Sequence, residues 1–235
     1  MHRINIAEFR SGAADALPIL LGVVPFGATF GIVGLTVGLT PAETVLMSLA
    51  VFAGAAQFIS VTMIGMGVAD FTLIVLTTLL INLRHLLMGA SLAPYQAGLP
   101  LARQAVLAFS MVDESYAITM DRIVRRGYSN SHQLGASAAL YVAWSLATVA
   151  GVLLGEYIPD PLAWGLDFAL PATFLAMLVP RLGSPASLAV CLVAAVVAVA
   201  AALLLPGKWY IILAALAATL VGGLLEPSPA KEAKA

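Results

Sequence analysis

Asn82, Arg84 and His85 stand in the middle of a long apolar stretch, where polar and charged side chains are out of place unless they do something. An arginine at mid-depth in a bilayer costs about 2.5–3.5 kcal/mol on insertion scales. Arg84 is therefore expected to face a protein interior or a wet cavity. Its planar fork of N–H donors fits a carboxylate. His85 can take and give a proton near neutral pH. Thr78, Asn82, His85 and Gly89 follow spacings of four, three and four, so they share one helix stripe. Arg84 projects about 100° away from His85. The competing reading is structural: an ion pair of Arg84 with Asp113 or Glu114, and a hydrogen-bonded histidine.

Asp113 and Glu114 follow a second apolar run. Adjacent carboxylates repel, which disposes one of them to hold a proton unless a cation is near. That equips a proton relay or an ammonium site. Alternatively both reach water by snorkelling. Asp167 lies a few residues into another run. One Arg, one His and three carboxylates are compatible with a zwitterion, which needs one cationic and one anionic contact. Gln57 is a mid-span amide within Phe52-Ala53-Gly54-Ala55-Ala56-Gln57-Phe58, suited to orienting a ligand or to interhelical hydrogen bonding. Pro25, in Val24-Pro25-Phe26-Gly27, lies near the middle of the first run, and Pro171 near the middle of the run with Asp167. Both are followed closely by Ala-Thr-Phe. Proline removes an amide donor and kinks a helix, and the freed backbone is tolerated only in protein or beside water.

These residues sit in a chain built for the membrane. Of 235 residues 61% are hydrophobic and 10% charged, against about 25% charged in soluble proteins. The expected fold class is all-α, a polytopic transmembrane helical bundle. Net charge of −1 points to no nucleic-acid partner, and the lone Cys191 excludes an internal disulfide. The N-terminus lacks the apolar region of a signal peptide. Residues 1–13 read as a cytoplasmic segment, 14–225 as the transmembrane domain and 226–235 as a disordered cytoplasmic tail. Eight candidate spans follow, each near the length of about 20 residues that crosses a bilayer. They are A (Ala14–Val37), B (Glu43–Met66), C (Phe71–Pro94), D (Leu101–Met120), E (Leu134–Gly155), F (Leu162–Pro180), G (Ser187–Leu205) and H (Trp209–Leu225). If all cross and both termini are cytoplasmic, Arg122, Arg125 and Arg126 lie inside and only Arg103 and Lys208 outside, as the positive-inside rule prefers. A then runs outward and F inward. A–B–C and F–G–H read as inverted repeats with proline-broken helices at the substrate site.

Other function classes fit less well. A Ser–His pair needs hydrogen-bond reach, normally from different spans, but the in-membrane histidine, His85, is on the same helix as Ser91 and six residues away, so it points elsewhere, and Ser137 sits near the end of another span. Three scattered histidines and one cysteine build no usual zinc site. No metal or cofactor is expected. Channels display pore rings through oligomer symmetry, whereas the charges here form one asymmetric set.

Taken in order, the motifs resemble the AzlC-type family, the large subunit of bacterial branched-chain amino-acid exporters. The likeness rests on Pro25-Phe26-Gly27 with Phe30-Gly31, Gly38-Leu39-Thr40-Pro41, Met47-Ser48 and Val51 to Phe58. It continues through Asn82-Leu83-Arg84-His85, Ser91-Leu92-Ala93-Pro94, Asp113-Glu114-Ser115 and Asp167 to Phe174. Met88, where relatives often carry an aromatic residue, and Thr40, where they often carry serine, are departures. The resemblance implies export of valine, leucine, isoleucine and sometimes methionine across the bacterial inner membrane. It also implies proton coupling and a small AzlD-type membrane subunit as partner. On that reading Arg84, with the backbone amides that a break at Pro25 frees near Phe26 and Gly27, holds the substrate carboxylate. Asp167 faces the ammonium group or carries a proton, Gln57 and Asn82 orient the site, and Phe26 and Phe58 receive the branched chain. Asp113, Glu114 and His85 carry protons.

Overall fold

The computed structural model describes residues 4–157, 175, 178–179, 182–205 and 209–225, and every described element is an α-helix. The helices are α1 (Ile6–Thr36), α2 (Pro41–Val51), α3 (Gly54–Gly65), α4 (Phe71–Gln96), α5 (Leu101–Phe109), α6 (Asp113–Arg126), α7 (Asn130–Glu156), α8 (Pro185–Leu204) and α9 (Trp209–Leu225). Four of them, α1, α4, α7 and α8, are long and apolar enough to cross a membrane. The chain divides into two compact units. One comprises residues 1–69 and 81–169, the other residues 70–80 and 170–235. In the second, α8 and α9 form an antiparallel pair, with Gly222 facing Val190.

The first unit is organised on α1 and α7. Asn5 caps α1 by accepting from the amides of Ala7 and Glu8, and Ser129 caps α7 by accepting from His132 N–H. The two helices run parallel and almost touch along their backbones. A Cβ built on Gly12 would overlap the His132 carbonyl, and one on Gly31 the Thr148 carbonyl. The arrangement is reciprocal: Gly135 lies on Phe9 and Gly151 on Ala28. Without a hydrophobic drive between helices in lipid, such small-residue contact is what brings spans together.

α1 is continuous through Pro18 and Pro25. This corrects the expected break at Pro25: Thr29 Oγ1 donates to the Pro25 carbonyl at 2.9 Å, and the helix proceeds. The breaks lie elsewhere, in B and D. α2 opens at a Thr40–Glu43 capping box with Pro41 in its first turn. It stops at Phe52, the one non-glycine residue with positive φ among the described residues (45°). α3 then starts at Gly54. A Cβ on Gly34 would lie 2.6 Å from Thr44, at the start of α2, and one on Gly65, at the end of α3, 2.6 Å from Val37. Both ends of the α2–α3 pair therefore sit at the C-terminal end of α1. The pair is a hairpin that enters and returns, not the crossing span expected for B.

The α5–α6 pair is its counterpart at the other end. Arg103, near the start of α5, reaches Asn130 in the first turn of α7 at 3.5 Å, and Arg122, near the end of α6, pairs with Glu8 in the first turn of α1 at 2.8 Å. D likewise enters and returns. Residues 81–96 of α4 run toward this same end, where Gln96 donates to Gln133 at 3.1 Å and Tyr95 meets the ring of Tyr128. Arg103, expected on the opposite face from Arg122, Arg125 and Arg126, lies at the same end of the first unit as Arg122.

Two expectations follow. In a Cys191→Ser background, single cysteines at Leu39 and Gly67 should label from one side of the membrane, and those at Gly98 and Gly127 from the other. A crossing B would put Leu39 and Gly67 on opposite sides. Separately, Gly151→Val should lower stability by about 3 kcal/mol or more through overpacking, seen as a lower melting temperature in detergent. Gly22→Ala, with nothing within 4 Å, should hold or raise it.

Candidate functional site

The two hairpins point at each other. The α2–α3 tip places Phe52 edge-on to Tyr141 with ring centres 4.9 Å apart, and the last residue of α5, Phe109, lies 6.2 Å from the same ring. Tyr141 is more than two turns into α7, so the tips meet well inside the bundle. The Tyr141 hydroxyl donates to the Leu49 carbonyl at 2.9 Å, satisfying an acceptor that the end of α2 leaves open.

Each tip is followed by a helix N-terminus. α3 begins at Gly54 and α6 at Asp113 with no side-chain cap accepting from their first-turn amides. Such N-termini carry a partial positive charge and bind anions. At α6 the first turn contains Asp113 and Glu114, so the helix dipole favours both carboxylates. Ser115 Oγ accepts from Val112 N–H at 2.9 Å and stabilises the turn.

Arg84 reaches across from α4 and forms an ion pair with Asp113, each side chain largely shielded. Of the two carboxylates that the structural reading offers Arg84, Asp113 is the one in this pair. Around it, Asn82 Oδ1, Arg84 Nε and His85 Nδ1 are buried and find no hydrogen-bond partner among the described residues. Buried polar atoms are normally paired, so three orphans within four residues mark a place where a polar ligand or water completes the set. Gly89 adjoins Met111 in the α5–α6 tip, and Ser91 Oγ lies 2.9 Å from the Tyr116 hydroxyl on α6.

Gln57 sits elsewhere, and both ends of its amide are used by the protein. Its Oε1 accepts from Ala53 N–H at 3.2 Å, and its Nε2 donates to Ser48 Oγ at 3.1 Å. Ser48 also meets Thr148 Oγ1 at 2.8 Å and accepts from Trp144 Nε1 at 3.1 Å. The buried amide therefore holds the α2–α3 break against α7. Phe26 stacks on Phe58 at 4.5 Å, and Phe30 and Trp144 complete an aromatic cluster in which Phe58 is fully buried. Gly27 packs against Ala147 and the Trp144 carbonyl, so its missing side chain serves helix contact. Pro25 is exposed on an unbroken helix, so no freed backbone amides lie there; the uncapped first-turn amides are at Gly54 and Asp113. Asp167 and Pro171 lie outside the described residues.

Sequence reasoning passed over Tyr141, Trp144 and Thr148, and gave Ser48 no role beyond its place in the Met47-Ser48 motif. A Trp and a Tyr three residues apart in an apolar span were the available signal for Tyr141 and Trp144, since both bury only where N–H and O–H find partners. It also passed over Asp15–His132 and Glu8–Arg122, which tie α1 to α7 and to α6 at 2.8 Å each. Near them Tyr128 donates to Gln133 at 2.9 Å, and burial pushes its phenol above the usual range.

The sequence description of the AzlC protein family matches residues 18–158, which include both hairpins and the Arg84–Asp113 pair. The chain belongs to the AzlC family. It is 30% identical over 197 residues to the inner membrane protein YgaZ of Escherichia coli, covering 81% of this chain and 79% of that one. An uncharacterized membrane protein of Archaeoglobus fulgidus is 32% identical, covering 77% of this chain and 80% of its own. The branched-chain amino acid transport protein AzlC of Bacillus subtilis is 26% identical, with coverage of 74% and 68%. No solved structure matches.

Ser48→Ala should destabilise this AzlC-family chain by about 2 kcal/mol, because it leaves two buried N–H donors, on Gln57 and Trp144, and a hydroxyl without their partner. The check is the shift in melting temperature in detergent, with Tyr141→Phe, which opens one carbonyl, costing about half as much.

Proposed function

We propose that this protein is the large subunit of a secondary transporter that exports branched-chain amino acids, with a small AzlD-type membrane subunit as partner. One observation carries the reading: two hairpins from opposite ends of the bundle bring uncapped helix N-termini toward mid-depth, with the Arg84–Asp113 pair beside one of them. Broken helices whose N-termini face anionic substrate groups at the midplane are how secondary transporters bind. The name of the Bacillus subtilis relative supplies the substrate class, and the family supplies the partner. Among the described residues no group of three metal-binding side chains occurs, and the arrangement supplies binding contacts rather than an activated nucleophile.

In this reading B and D are re-entrant, and α1, α4, α7, span F, α8 and α9 cross. Six crossings keep both termini on one side. Arg10, Arg103, Arg122, Arg125 and Arg126 all gather at the N-terminal end of α1 and α7, which the positive-inside rule makes cytoplasmic, in a bacterial inner membrane. The α2–α3 hairpin then enters from outside and α5–α6 from the cytoplasm. The amides at the start of α3 and α6, with Arg84, hold the substrate carboxylate. Asp113 exchanges Arg84 for the substrate ammonium group. Asn82 orients the substrate, and Gln57, Phe26 and Phe58 keep the α2–α3 wall in place. Glu114 and His85 pass the coupling proton, and Asp167 contributes from span F.

The test is efflux of labelled valine from loaded cells. Efflux should require the small subunit, collapse with an uncoupler and fall at least about tenfold in Arg84→Ala, the loss of one charged hydrogen bond. Efflux by Arg84→Ala at the unaltered rate would remove Arg84 from the site. No valine or leucine efflux by the unaltered pair would overturn the substrate assignment.

A further inference from the structure

A cavity of about 600 Å³ opens between α1 and α6. It lies on the cytoplasmic side of the Arg84–Asp113 pair: its innermost α6 residue is Ala117, one turn or about 6 Å along the helix from Asp113. The cavity has two chemically distinct walls. Pro18, Ile19 and Ile118 make one apolar. Asp15, Asp121 and three arginines of α6 make the other charged.

The charged wall is partly committed. Arg122 pairs with Glu8, and Arg125 with Asp121 one helical turn earlier, at 2.8 and 2.9 Å. Arg126 forms no ion pair among the described residues. Asp15 is held at 2.8 Å by Nε2 of His132, a side chain 1% exposed, while its own carboxylate remains 56% exposed. A buried histidine that fixes an accessible carboxylate is a positioning device. Nδ1 of the same ring finds no partner among the described residues, so the ring is oriented through Asp15 alone. The accessible carboxylate held by a histidine rather than an arginine (Asp15), the uncommitted guanidinium of Arg126 and an apolar surface match the three parts of an α-amino acid with a branched side chain.

We infer that this cavity is a loading site for the zwitterion, occupied from the cytoplasm before it reaches the Arg84–Asp113 pair. The inference rests on the transport reading above. Asp15 receives the ammonium group, Arg126 the carboxylate, and Ile19 and Ile118 the branched chain. No bond is made or broken. A solute that carries charge but no apolar group gains only half of these contacts, so selection for branched side chains begins here.

The experiment uses inside-out membrane vesicles holding this chain and its small partner, with labelled valine outside and an imposed proton gradient. Arg126→Gln, at an exposed position, and Asp15→Asn should each raise the half-saturation concentration for valine about tenfold, the equivalent of one charged contact. Arg10→Gln, which lies off the cavity, should leave it unchanged. Ile19→Ala should raise it for valine more than for alanine. Unchanged half-saturation in both charge variants, with uptake intact in the unaltered protein, overturns the loading site alone. No uptake by the unaltered protein overturns the transport reading and this site with it.

Discussion

Inside a bilayer a backbone amide or carbonyl has no water to turn to, and each one left open costs several kilocalories. Everything distinctive about this structure follows from where the chain breaks that rule and what answers it. At Phe52 the backbone takes a left-handed turn that disfavours a side chain by about 1–2 kcal/mol. Tyr141 answers the open carbonyl of Leu49, and Gln57 the amide of Ala53. At the other tip Ser115 answers the amide of Val112. The amides of the next turn in each case have no capping side chain, and that leaves them available to an anion.

Breaks of this kind need a rigid support, and α1 with α7 provides it. Their glycines let the backbones meet, so the interface has little room to slide. The network of Ser48, Gln57, Trp144 and Thr148 then fastens the α2–α3 hairpin to that support with buried hydrogen bonds. The α5–α6 hairpin is fastened differently. Its ties to α1, α4 and α7 are ion pairs and polar contacts near one end, Glu8–Arg122 and Arg103–Asn130, with Arg84–Asp113 at its tip. Charged contacts exchange partners more readily than a packed aromatic cluster does. The two hairpins are alike in outline and unlike in what holds them.

The electrostatic plan is economical. Arg84 would be costly in lipid, and Asp113 and Glu114 would repel each other in an ordinary mid-helix position. Placing the carboxylates in the first turn of α6 sets them against a positive helix end, and Arg84 closes on Asp113. Each member of the pair is thereby neutralised by the other in a setting where a lone charge would be costly.

The membrane class, the polar patch at Asn82 to His85 and an ion pair of Arg84 with one of the two carboxylates Asp113 and Glu114 were legible in the sequence, because composition and the cost of burying charge act locally and leave a mark on residue type; the structure shows the pair with Asp113. Family membership was legible for the same reason, in short motifs kept in order. The path of the chain was not. Two arms of 11 and 12 residues in α2 and α3, or 9 and 14 in α5 and α6, add up to the length of one crossing span, so hydropathy reads the same whether the chain crosses or turns back. Proline was the expected marker of a break, yet α1 tolerates Pro18 and Pro25, and the actual turns carry Phe52-Ala53 and Ser110-Met111-Val112. Nothing local forces those residues out of a helix. Gln57 and Ser115 answer the amides of Ala53 and Val112 locally, four and three residues on, but Tyr141 reaches the Leu49 carbonyl only once α7 has packed against α2, and so the tertiary structure decides where each arm turns back and at which end of the bundle Arg103 lies.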